Sequence, residues 1–191
     1  GPHLTKLELP VRNYMTAKIY DLCSAHLYSD IRPTIDPWLK SPRAEGKMMA
    51  LAAFGKCRDE YRTIFEANLE ELCSTTYQKG FDLVVSEFPE FLNSADVSNR
   101  DACDFAATVH QLFCERRFDD IKYLSSHFES NDLVLSGGSC LNLHLNTLVH
   151  NEIDSTVFIP PNCDDTGTSL GALSVLINEL YHTKPKIGLP Y

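Results

Sequence analysis

The segment DLVLSGGSCLNLHLNTLV, residues 132–149, restricts the fold more than any other stretch of the chain. The apolar run Leu133-Val134-Leu135 reads as a buried strand, stops at two glycines, and gives way to a helix from about Ser139 to Val149. Thr156–Ile159 then reads as a second short strand, ended by Pro160-Pro161, and a last helix runs from about Thr168 to Tyr181. Strands separated by a helix cannot pair as a hairpin. The order helix, strand, helix, strand, helix argues for α/β layers.

The preceding residues are mostly helical in pattern. Met15, Ile19, Leu22 and Ala25 predict a helix over 11–28, and prolines 33, 37 and 42 with Gly46 mark a loop over 30–46. Lys47 to Phe54 predicts a helix stopped by Gly55. Tyr61, Ile64, Phe65, Leu69 and Leu72 predict one amphipathic helix over 58–78, and Phe81–Val85 a short strand followed by a proline-containing loop. Ser98 or Asn99 caps a long helix to about Phe128, with an apolar face of Phe105, Val109, Leu112, Phe113, Ile121 and Leu124. The result is helix-rich, with too few strands for a self-sufficient sheet and with an open sheet edge. The chain is therefore expected to be part of a domain, with its edge covered by another subunit, a second copy or the rest of a longer protein.

The formal charge is −9, which repels phosphate backbones and argues against a general nucleic-acid binder, though not against a nucleotide in a local pocket. No apolar run is long enough to span a bilayer and no signal peptide is recognised, so a cytoplasmic protein is expected. The seven cysteines are odd in number and contain no C-x-x-C pair, which fits free thiols buried as small apolar groups in a reducing compartment. Gly1-Pro2-His3 resembles a protease-cleavage scar. Residues 1–10 are read as scar and lead-in, 11–181 as the folded part and 182–191 as a C-terminal linker.

Three segments carry candidate chemistry. Gly137 and Gly138 allow backbone to approach a ligand closely, and Asn142 and Asn146, four apart, can both hydrogen-bond toward that turn; a tight turn with two capping or surface amides is the simpler alternative. In PPNCDDTGTSLGAL, residues 160–173, Asp164 and Asp165 can coordinate a cation or cap the last helix, and Gly167 and Gly171 permit close approach. In RAEGKMMALAAFGK, residues 43–56, Lys47 can reach a phosphate or stand solvated at a helix start. No two histidines are four apart, so a two-histidine metal site on one helical turn is absent. His144 lies between the two asparagines, at the pocket's rim or simply on the surface.

Together and in this order, EGKMMALAAFGK, the helix containing DFAATVHQLF, LVLSGGSCLN and PPNCDDTGTSLGAL resemble the O-carbamoyltransferase family of nodulation and antibiotic-tailoring enzymes. The match spans about residues 12–180. The resemblance implies a Kae1-like domain of the actin-like ATPase type, built from ribonuclease-H-like halves, of which this chain carries an incomplete one. It implies ATP and carbamoyl phosphate as substrates, formation of carbamoyl-adenylate, and transfer of the carbamoyl group to a hydroxyl of a small-molecule or sugar acceptor. It implies that Gly137, Gly138 and Asn142 contact adenosine and that Asp165 ligates a divalent metal (iron, magnesium or manganese), with Lys47 as a further pocket residue. The family's metal site also uses a histidine pair four apart and another Asp, and the family carries a C-terminal YrdC-like domain; this sequence has neither. Cys140 and Cys163 stand where small residues are common. An inactive fragment or subunit is the expectation, with a non-catalytic scaffold, a kinase-like protein or a tRNA threonylcarbamoyl-transfer enzyme as alternatives.

Overall fold

A computed structural model describes residues 31, 45–72, 79–92, 94, 96–126 and 132–183. The predicted helix over 11–28 lies outside these residues, as do residues 1–10, nearly all of the predicted loop over 30–46, and the linker beyond Thr183. The chain divides into two units, Gly1–Arg117 and Phe118–Tyr191.

In the first unit, α1 spans Glu45–Ala52, so Glu45 and Gly46 open a helix rather than close a loop. Ile31 is helical too. The Gly55 N–H donates to the Ala52 carbonyl at 3.0 Å and ends the helical path, as expected. Helix α2 spans Asp59–Ala67, with Asp59 and Glu60 in its first turn where the helix dipole favours negative charge. The expected single helix over 58–78 breaks at Asn68, which leaves helical geometry (φ −111°, ψ 9°), and a short α3 follows at Leu69–Leu72.

Residues Lys79–Glu87 form helix α4, which corrects the strand expected at Phe81–Val85. Gly80, Val84 and Phe88 are buried while Phe81 and Val85 are exposed. Burial at every fourth residue is the signature of a helix, not of a strand. A 3₁₀ turn at Pro89–Phe91 follows. Helix α5 spans Arg100–Ser125, of which residues 100–117 belong to this unit, and the Asn99 side chain accepts the Ala102 N–H at 3.2 Å, which is the expected cap.

The core of this unit is aromatic. Phe65 stacks on Phe88 at 5.3 Å, Phe88 meets Phe105 edge-on at 5.2 Å, and Phe91 lies 4.8 Å from Phe105. Tyr61 presents its edge to Phe88 and Phe91. The predicted face of α5 is buried at Phe105, Val109, Leu112 and Phe113.

The second unit holds two parallel strands, β1 at Asp132–Val134 and β2 at Thr156–Phe158, with Leu133 opposite Val157. The connection is a 3₁₀ turn at Gly138–Leu141 and helix α6 at Leu143–Glu152. The helix expected from Ser139 starts later because Asn142 is extended (φ −81°, ψ 106°) and caps it. Helix α7 spans Thr168–Tyr181, as the spacing predicts. The run expected to be buried is so only on one face: Leu135 is buried and Leu133 half-buried, but Val134 is 66% exposed, as is its neighbour Phe158 at 51%, because nothing among the described residues covers that face of the two-stranded sheet. Helix α7 likewise buries none of its residues.

Candidate functional site

Two loops leave the C-terminal ends of the parallel strands, the edge where α/β proteins place their ligands. They are joined at one atom. The Cys163 carbonyl accepts the Gly137 N–H at 2.5 Å and the Ser136 hydroxyl at 3.2 Å. The glycine turn is thereby fixed against the loop that carries Asp164 and Asp165.

Gly137 has φ 111° and ψ 161°, a region essentially restricted to glycine. Gly138 has ordinary φ, and a Cβ built on it meets nothing within 4 Å. The same open space stands over Gly137. The Gly138 and Ser139 N–H groups make no hydrogen bond among the described residues. The turn therefore presents unpaired donors beside a surface without side chains.

The two asparagines are committed to the protein. Asn142 is buried, and its side-chain carbonyl accepts the Leu145 N–H at 3.0 Å. Asn146 donates its Nδ2 to the Cys140 carbonyl at 2.7 Å. They do not share a helix face as expected, because Asn142 lies before the helix rather than in it.

Asp164 and Asp165 divide the two roles proposed for them. Asp164 caps the 3₁₀ turn at Asp165–Gly167, accepting the Thr166 N–H at 3.1 Å and the Thr166 hydroxyl. Asp165 is exposed, and its carboxylate makes no hydrogen bond or ion pair among the described residues. Gly167 serves packing: a Cβ there would collide with the Asn162 carbonyl. Gly171 has open space instead.

Asp165 alone is not a metal centre. No group of three or more His, Cys, Asp or Glu able to hold a metal stands together among the described residues. A metal would need ligands from elsewhere. Lys47 is exposed on α1 and belongs to the first unit, whereas the other candidates all belong to the second. His144 lines a shallow groove along α6 with Thr147 and Glu152. Cys103, Cys114, Cys140 and Cys163 are buried thiols in no disulfide, as expected; burial raises the Cys103 thiol, which disfavours the nucleophilic thiolate.

One cluster escaped the sequence. Asp104, 1% exposed in α5, accepts the Lys56 N–H at 2.7 Å and Arg58 Nε at 2.6 Å, with Arg100 Nε 3.6 Å away. Burial alone would raise its carboxyl, but the Lys56 N–H and the Arg58 and Arg100 charges outweigh this and hold it below the usual carboxylate value. Arg58 N–H also donates to Thr108 at 3.0 Å. A Cβ at Gly55 would strike the Cys103 carbonyl. The end of the FGKCR segment is thus clamped to α5. An acid inside the apolar run of a helix was the available signal.

The profile of the family described as carbamoyltransferase N-terminus matches residues 11–174, most of the chain and parts of both units. The nodulation protein NolO of Bradyrhizobium diazoefficiens is 27% identical over 153 residues, covering 76% of this chain and 27% of its own length. The chain thus spans about a quarter of that relative. No solved structure matches.

Proposed function

This chain belongs to the carbamoyltransferase family, in the region its members carry at their N-terminus, and we propose that it supplies the nucleotide half-site of an ATP-dependent O-carbamoyltransferase. The observation that carries this is the glycine turn at Gly137-Gly138. It sits at the C-terminal edge of parallel strands, has unpaired N–H donors, and has open space where side chains would stand.

In this reading, backbone at Gly137 and Gly138 receives the nucleotide, and Asn142 and Asn146 hold the turn that does so. With ATP bound, hydrolysis of carbamoyl phosphate would release inorganic phosphate and leave carbamate, whose oxygen would displace pyrophosphate from ATP to give carbamoyl-adenylate; attack by the acceptor hydroxyl would then release AMP. The N–H donors stabilise negative charge on the phosphates by fixed dipoles rather than by reorganising water. Asp165 contributes one ligand toward a divalent metal. Its remaining ligands would have to come from outside the described residues. A ribonuclease-H-like domain completed by a further protein element also accounts for the exposed faces of Val134, Phe158 and α7. No helix among the described residues is long and apolar enough to cross a membrane. Soluble, cytoplasmic carbamoyl transfer fits this proposal.

The test is calorimetric titration of ATP into the chain, with and without divalent metal, repeated on Asp165→Ala. The expected result is saturable binding that metal strengthens and that the substitution weakens only in the presence of metal. Binding by Asp165→Ala that metal strengthens as much as it does in the native chain would remove Asp165 from the site.

A further inference from the structure

Asn146 is the side chain through which the body of α6 grips the glycine turn. Its backbone N–H bonds the Asn142 carbonyl at 3.0 Å in the ordinary helical way. Its Nδ2 reaches back six residues to the Cys140 carbonyl at 2.7 Å, which sits inside the 3₁₀ turn. The Cys140 N–H in turn donates to the Gly137 carbonyl at 2.9 Å, and the Gly137 N–H to Cys163. A continuous run of hydrogen bonds therefore links α6, the turn and the second loop. The other end of the amide is different: Asn146 Oδ1 is buried and has no hydrogen-bond partner among the described residues.

That asymmetry separates positioning from stability. A made hydrogen bond stabilises modestly, whereas a buried polar atom left unpaired costs a comparable amount. The two ends of the Asn146 amide nearly cancel, so the residue adds little to the stability of the fold while fixing where the Cys140 carbonyl lies. We propose that Asn146 is a positioning residue: it sets the conformation of the Gly137–Cys140 turn through the Cys140 carbonyl and governs nucleotide affinity without touching the nucleotide. The inference rests on the nucleotide reading of the turn for its second half only.

Two variants test it. Asn146→Leu removes the grip together with the unpaired oxygen, and Asn146→Asp keeps the shape but faces the Cys140 carbonyl with an acceptor. Amide hydrogen exchange at Gly137 and Cys140, whose N–H groups donate to the Cys163 and Gly137 carbonyls, is read by NMR without nucleotide, alongside melting temperature and ATP affinity. The expected result is exchange at least ten-fold faster at these amides in both variants. The melting temperature of Asn146→Leu should be unchanged or higher, and ATP affinity about ten-fold weaker. Unchanged exchange with weakened ATP affinity would overturn the proposal in favour of direct contact, and unchanged exchange with unchanged affinity would overturn it outright. Faster exchange with no ATP binding by the native chain would uphold the grip on the turn and remove the nucleotide reading instead.

Discussion

Gly137 and Gly138 are neighbours with different reasons to be glycine. Gly137 occupies backbone that a side chain strains, so Gly137→Ala should cost about 2 kcal/mol, read as a lower denaturant midpoint. Gly138 has ordinary backbone and empty space around it, so Gly138→Ala should leave stability within about 0.5 kcal/mol of native. The sequence shows two adjacent glycines and nothing to tell them apart, because φ is set by the Cys163 carbonyl 26 residues on. Gly167 was equally ambiguous until the Asn162 carbonyl was seen above it. Asp104 makes a sharper case. A carboxyl lower in the folded than the unfolded state gives stability that is complete above its ordinary value, about 4, and is lost as pH falls through the folded value. Asp104→Asn should therefore unfold about 2 kcal/mol more easily than native at pH 7. The difference should shrink below about pH 4 in pH-dependent melts. A difference that stays constant down to strongly acidic pH would mean the charge is not what matters.

The elements that were legible are those whose apolar residues keep one helical period over many residues. Helix α5, with Asn99 as cap, and helix α7 from Thr168 to Tyr181 were readable from spacing alone. Phe81–Val85 was not, since a short β-branched and aromatic run suits either state; contacts through Gly80, Val84 and Phe88 decide for the helix. The start of α6 was displaced by a side chain, Asn142, bonding backbone three residues on, a competition that apolar spacing does not record. Helix α7 also carries a prediction. Leu173 and Leu176 are 51% and 53% exposed, so changing both to Glu should reduce binding of a hydrophobic dye and leave the melting temperature within a few degrees of native. A large fall in melting temperature would show that these residues are buried in solution.

The whole chain combines a tightly packed aromatic unit with an α/β unit whose sheet and last helix leave apolar surface uncovered. The strand shortage visible in the sequence was a sound guide to that incompleteness, because two short strands cannot bury both faces of a sheet. The glycine turn was legible as a pattern, but its wiring through Ser136, Cys163 and Asn146 was not, since those bonds run between segments far apart in the chain or to backbone atoms. The central claim, that the Gly137-Gly138 turn receives the nucleotide, is tested most directly by comparing ATP affinity of the native chain with that of Gly138→Val. Valine enters empty space in the free protein, so the fold should be retained, while the surface offered to the ligand is blocked. Saturable native binding, weakened at least ten-fold by Gly138→Val at unchanged melting temperature, is the predicted result. Equal affinities, or no binding by the native chain, would contradict it.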